Sequence, residues 1–178
     1  MFDVDAFIGE CQTALGESTP MLAIKEIVDR AVAEPDAVAT ALHAKPGAVV
    51  LHRRDDLTVL SIVVPARSRP SLPHDHRMWA VIGVYQGQED NQFFRRNDGG
   101  LVESGGRSLG VSDTLAMGDG TIHTVRNPLE HGALAALHVY GGDLIGADRS
   151  MWTGPDYDEQ RYDDTKVIGP GGFKDSRS

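Results

Sequence analysis

The sequence predicts a mainly β protein, a barrel or two-sheet jelly roll with a small helical segment ahead of it. Three observations carry this. Between Lys45 and Tyr140 short runs of apolar and β-branched residues recur at roughly even spacing. Turn signals separate them, notably Asn97-Asp98-Gly99-Gly100, Gly105-Gly106 and Gly118-Asp119-Gly120. Nothing in that stretch has the texture of the helices, roughly 10–15 residues long, that alternate with strands in a parallel sheet.

The elements follow in order. In the first 45 residues Phe2, Phe7, Leu15, Leu22, Ile24, Ile27 and Val28 are spaced for helical faces. Pro20 and Pro35 divide the region into about three short helices, with Thr19 and Glu34 near their starts. Strands are then expected at Val49–Leu51 and Leu57–Val64, separated by the charged turn Arg53-Arg54-Asp55-Asp56. Further strands are expected at Met78–Tyr85, Asn91–Arg96, Leu101–Leu109, Thr114–Met117, Thr121–Val125 and Leu134–Tyr140. The organisation expected is a helical segment over residues 1–44, a barrel over 45–162 and a polar, glycine-rich flexible tail over 163–178.

Bulk properties narrow the function classes. A chain of 178 residues with 40% hydrophobic content can bury a sizeable core as one domain. The net charge of −9 argues against nucleic acid as a partner, since phosphate neutralisation needs a basic face. A single cysteine, Cys11, cannot form an internal disulfide. The first residues lack a basic, then apolar, leader, and no run approaches the roughly 20 apolar residues that span a bilayer. A cytoplasmic protein with no membrane partner is therefore expected.

The stretch Leu72-Pro73-His74-Asp75-His76-Arg77-Met78-Trp79 carries the chemistry. In extended backbone the His74 and His76 imidazoles project from one face, about 7 Å apart along the strand, and can converge on one ion. The alternation continues with Met78, Ala80, Ile82 and Val84 on one face and Trp79, Val81, Gly83 and Tyr85 on the other, so the strand is apolar on both sides. Two histidines in this spacing are often solvated turn residues. A third, His123, lies in a short strand between the turn Gly118-Asp119-Gly120 and the stop Asn127-Pro128, and could face the pair across a rolled sheet. Three neutral imidazoles suit Fe, Zn, Cu or Ni and leave positions open for water, substrate or O₂.

His-Asp-His opening a strand, and Gly118–Pro128 some forty residues on, resemble the two motifs of the cupin superfamily of double-stranded β-helix barrels. The usual first motif carries a glutamate four or five residues after its second histidine; Ala80 and Val81 stand there. A three-histidine iron site without the carboxylate is similar to the thiol dioxygenase branch, the cysteine dioxygenase-like cupins. The resemblance extends to Ala136-Leu137-His138-Val139-Tyr140, where those enzymes carry Ser-x-His-x-Tyr with histidine and tyrosine forming a relay beside the iron. Here Ala136 replaces the serine, and the cysteine that crosslinks the tyrosine in the mammalian type has no counterpart.

The resemblance implies Fe(II) held by His74, His76 and His123, and a dioxygenase that converts a small thiol, cysteine or a 3-mercaptopropionate-like acid, to a sulfinate. Tyr140 and His138 would be the catalytic pair. It also implies arginine capture of a substrate carboxylate; Arg95 is the candidate, with Arg53, Arg67 and Arg126 open beside it. Zn or Ni would also fit three imidazoles. The partners expected are the thiol and O₂, and unpaired barrel edges would serve a homodimer. Glu89 reads as a turn residue, or one behind the ligands, rather than a displaced ligand. His131 reads as a solvated turn residue, Trp79 and Tyr85 as core, and Trp152 as a cover for a sheet edge or the barrel mouth. Two readings of other classes stay open: a metal-dependent cupin of other chemistry, such as an isomerase, a lyase or a carbon–carbon-cleaving dioxygenase, and a non-enzymatic cupin binding a metal or small ligand.

Overall fold

Three helices precede the barrel, and the chain's prolines and one acidic cap set where they begin. The computed structural model describes residues 1–43 and 45–175; Ala44 and residues 176–178, the ends of the expected helical segment and tail, lie outside the described residues. Helix α1 (Val4–Ala14) is capped by Asp3, whose carboxylate accepts from the Ala6 amide at 3.0 Å. Helices α2 (Pro20–Val32) and α3 (Pro35–Leu42) each start on a proline, whose missing N–H costs nothing there. His43, in the left-handed conformation, ends α3.

Among the described residues twelve strands follow: β1 (Gly47–Arg53), β2 (Thr58–Val64), β3 (His74–Asp75), β4 (Ala80–Gln86), β5 (Glu89–Asn97), β6 (Gly100–Leu109), β7 (Thr114–Met117), β8 (Ile122–Arg126), β9 (Leu134–Tyr140), β10 (Ser150–Thr153), β11 (Asp158–Arg161) and β12 (Phe173–Asp175). They form two six-stranded sheets, in the orders β12-β1-β2-β9-β4-β7 and β11-β10-β3-β8-β5-β6. Strands distant in sequence are neighbours in space, as in β2 beside β9 and β3 beside β8, and the result is a mainly β jelly roll.

Strand β4 shows why its sequence is apolar on both faces. Ala80, Ile82 and Val84 face the barrel interior with Leu60, Leu115, Leu134 and Ala136. Val81 and Tyr85 face outward into a second core made with Ile24, Ile27, Val28 and Val32 of α2. The helices thus cover the outer face of the first sheet, as a two-sided strand requires. Gly83 permits the closest approach: a Cβ there would lie 2.4 Å from Val28 Cγ1 and 2.8 Å from Val32 Cγ1.

A smaller cluster of Phe94, Leu101, Ile122 and Trp152 packs on the other sheet. Trp152 is buried there under the Arg96 guanidinium, 4.8 Å from its ring, rather than over the barrel mouth. The expected flexible tail instead carries a short helix, α4 (Asp164–Val167), and the strand β12, which pairs in parallel with β1 through Ala48↔Phe173, Val49↔Lys174 and Val50↔Asp175. Its composition looks like a linker because four of its residues form the Gly169-Pro170-Gly171-Gly172 turn between those two pieces. Among the described residues no helix is long and apolar enough to cross a membrane.

Candidate metal centre

Two residues of regular strand are enough to place the first histidine. In β3 His74 pairs with His123 of β8 on one side and with Met151 of β10 on the other. The alternation then sets His74 and His76 inward and Asp75 outward, where Asp75 accepts from the Ser150 amide at 2.8 Å and pairs with Arg77 Nε at 2.7 Å. The three imidazoles meet inside the barrel with ring centroids 4.8–5.3 Å apart. Their candidate ligand atoms lie within 4.8 Å of one another, a group that could hold a metal ion.

Hydrogen bonds aim two of the rings. His74 Nδ1–H donates to the Leu72 carbonyl at 2.9 Å, and His123 Nδ1–H donates to Asn91 Oδ1 at 2.8 Å. A carbonyl oxygen only accepts, so each ring carries its proton on Nδ1 and presents a lone pair at Nε2. Nε2 of His123 lies 3.3 Å from Nε2 of His76. Two nitrogens bound to one ion at about 2.1 Å would stand about 3.0–3.5 Å apart. Burial is the main force holding all three imidazoles neutral: it lowers His74 to about 4, and together with the mutual repulsion that protonated neighbouring rings would exert it takes His76 and His123 well below the usual value. Neutral, aimed and mutually close, the donors fit a divalent transition metal.

The other polar groups are ordered around this cluster. Tyr140 is buried, with its ring 5.0 Å from that of His76 and its hydroxyl 3.1 Å from His138 Nδ1. Burial raises the Tyr140 phenol well above its ordinary range. His138 turns its Nε2 to Glu89 Oε2 at 3.6 Å. Glu89 is fully buried and accepts from Asn91 Nδ2 at 2.9 Å, behind the histidines rather than among them.

Arg149 is the one buried arginine among the described residues, only 4% exposed. Its guanidinium stacks on Tyr162, 3.6 Å from the ring centroid, and reaches the Asp75 carbonyl at 3.4 Å. Its Nε has no hydrogen-bond partner. The cavity containing these groups measures about 270 Å³, and Leu60, Ile62, Val64, Leu144, Ile168 and Phe173 supply much of its apolar wall.

Five candidates from the sequence, His74, His76, His123, His138 and Tyr140, line this one cavity. The structure places Arg95 elsewhere, exposed near the far end of β5, where a register shift at Phe93/Phe94 breaks the simple alternation. Arg53, Arg67 and Arg126 also lie outside, paired with Asp143, Glu130 and Asp90. Arg149, Tyr162 and Asn91 were not singled out from the sequence. Arg149 follows the irregular segment 141–148, which has no periodicity to orient it. Asn91 did leave a signal: two residues after Glu89 on one strand, it shares that residue's face.

No family model matches the sequence. Among solved structures, the chain is similar to the DMSP lyase DddQ from Ruegeria pomeroyi DSS-3, with 22% identity over 53% of this chain and 42% of that one, and a TM-score of 0.41. It is similar to an RmlC-like cupin family protein with a double-stranded β-helix fold from Methanocaldococcus jannaschii, with 11% identity over 57% and 84% of the two chains and a TM-score of 0.45. A third likeness is to hydroquinone 1,2-dioxygenase from Sphingomonas sp. TTNP3 with 4-hydroxybenzoate bound, at 13% identity over 59% and 72%, with a TM-score of 0.45. The chain spans less than half the length of the lyase it matches. At these identities none of these activities passes to this chain.

Proposed function

We propose that this chain is a non-haem iron dioxygenase that oxidises a small thiol bearing a carboxylate to its sulfinate. The observation that carries the reading is one cavity holding three converging neutral histidines, no carboxylate among them, and a buried arginine with a donor to spare. His74, His76 and His123 would hold the metal. Fe(II) bound there would supply the redox chemistry by which both atoms of O₂ join the sulfur, leaving an anionic sulfinate in place of a thiolate.

The chain's own residues do the rest. Arg149 offers a planar donor fork to a carboxylate, and its stacking on Tyr162 fixes the plane of that fork before substrate arrives. The cavity suits a molecule of a few heavy atoms, and its apolar wall keeps water from competing for the sulfur end. Tyr140, its hydroxyl held by His138, stands with its ring beside that of His76. Arg149 and the histidines together ask for a substrate anionic at one end and metal-binding at the other.

The test is direct. Protein loaded with Fe(II) without air is mixed with O₂ and a panel of small thiols with and without a carboxylate. O₂ uptake and sulfinate formation are expected for the acidic thiols, at rates well above those for neutral ones. Bound iron with no thiol-dependent O₂ uptake would overturn the proposal and return the site to other metal-dependent chemistry. His123→Ala is expected to abolish iron binding, and full retention of iron would remove His123 from the ligand set.

A further inference from the structure

A line of buried polar groups, hydrogen-bonded except for one ionic contact at its centre, crosses the barrel from the substrate side to the back of a metal ligand. The Tyr140 hydroxyl meets His138 Nδ1 at 3.1 Å, and His138 Nε2 faces Glu89 Oε2 at 3.6 Å. Glu89 Oε1 accepts from Asn91 Nδ2 at 2.9 Å, and Asn91 Oδ1 accepts from His123 Nδ1 at 2.8 Å. Tyr140 and His138 alternate on β9 in one sheet, and Glu89 and Asn91 on β5 in the other. Of these groups Glu89 is the most enclosed, with 0% exposure, and it spans the gap between the sheets.

The two members of the line without a hydrogen-bond partner, His138 Nε2 and Glu89 Oε2, are the two that face each other. A buried carboxylate has no reason to stand there as packing, since an unpaired one carries a heavy desolvation cost. Facing an imidazole nitrogen, it stabilises a proton on that nitrogen. His138 Nδ1 is then free to accept from the Tyr140 O–H, which fixes the rotation of the hydroxyl and turns the oxygen's lone pairs to the cavity. At the other end the same carboxylate orients the Asn91 amide. Its Nδ2 must point to Glu89, so its Oδ1 must point to His123, and this holds the His123 proton on Nδ1 and its lone pair on Nε2.

We infer that Glu89 is a positioning residue, one carboxylate that sets the tautomer of His138, and so the orientation of Tyr140, and through Asn91 the tautomer of the metal ligand His123. It acts on β9 from the opposite sheet, from its position on β5. The inference rests on the metal-centre part of the functional reading and is indifferent to which molecule is oxidised there.

The experiment uses Zn(II)-loaded protein with ¹⁵N-labelled histidine and neither thiol nor O₂, so its result does not depend on the dioxygenase reading. Long-range ¹H–¹⁵N correlation reports the tautomer of each ring, and His138→Gln assigns the signals of His138. In the unaltered protein His138 is expected to carry its proton on Nε2; a proton found on Nδ1 alone overturns the inference without need of any variant. In Glu89→Gln, which keeps the shape and removes the charge, the His138 proton is expected to move at least partly to Nδ1. An unchanged tautomer in folded Glu89→Gln overturns it. Glu89→Leu, which cannot accept from Asn91, is expected to bind Zn(II) roughly tenfold or more weakly. Unchanged Zn(II) affinity in that folded variant would break the proposed link to His123. Failure of the thiol assay alone leaves all three readouts standing.

Discussion

Arg149 lies over the ring of Tyr162, 3.6 Å from its centroid, and has no carboxylate partner among the described residues. Under the proposed function this buried guanidinium would receive the substrate carboxylate. Arg149→Lys keeps the charge and loses both the stacked plane and the two-pronged donor. For acidic thiols it is expected to lower kcat/KM roughly 10- to 100-fold, chiefly through KM, because a hydrogen bond to a charged group contributes about 1.5–3 kcal/mol. Rates on neutral thiols should change little. Steady-state O₂ uptake on matched acid and amide substrates measures the difference, and an equal loss on both would deny Arg149 a role in reading the carboxylate.

Gly83 and Val28 mark where α2 presses hardest on the barrel. A Cβ at Gly83 would stand 2.4 Å from Val28 Cγ1 and 2.8 Å from Val32 Cγ1, and both valines are fully buried. Neither side chain has room to withdraw. Gly83→Ala is expected to lower the urea unfolding free energy by about 1–3 kcal/mol, the usual cost of overfilling a packed core. Val28→Ala in the same background should return part of that loss, since the two changes share one space. Additive losses would place the strain elsewhere.

The barrel strands were readable because alternation and glycine turns are local signals, and β4 shows how far they reach. Its two apolar faces pointed to an interior strand, and the α2 helix and the barrel core bury one face each. The histidines were readable for the same reason: His74 and His76 differ by one strand period, and His123 sits in a short strand with turn and stop signals on either side. What escaped depends on pairings across the sheets. No local pattern says that Glu89 will meet His138 from the opposite sheet, or that Arg149, after an irregular segment, will fold over Tyr162. The tail was misjudged because three residues, Phe173–Asp175, gain their strand character from β1, about 125 residues earlier in the chain.

Glu159 and Arg96 govern part of the response to acid. The Arg96 guanidinium, with help from the Ser150 hydroxyl at 2.6 Å, holds the Glu159 carboxyl down to about 2, against an ordinary value of 4.5. The folded state therefore releases this proton more readily than the unfolded chain. The stabilisation is complete above pH 4.5 and is lost as the pH falls from there to about 2. Glu159→Gln should be less stable than the parent at neutral pH and equally stable near pH 2. The difference is expected to be modest, because both partners are partly exposed to water. Urea midpoints taken across this range test it, and a stability gap that persists at pH 2 would assign the effect to packing instead.

Ile168 and Phe173 close one side of the cavity from the C-terminal segment, with β12 held to β1 by three residue pairs. They bound the space but carry no polar group that the reaction could use. Trimming both to alanine should therefore widen the choice of substrate more than it lowers the rate. In Ile168→Ala/Phe173→Ala, kcat/KM for a branched, bulkier thiol acid is expected to rise roughly tenfold or more relative to the smallest one, the scale at which an apolar pocket senses one or two methylenes. Iron content should stay that of the parent, since neither side chain belongs to the histidine cluster. A ratio that does not move, with iron still bound, would mean that the far wall of Leu60, Ile62 and Leu144, rather than the C-terminal segment, sets the size of molecule admitted.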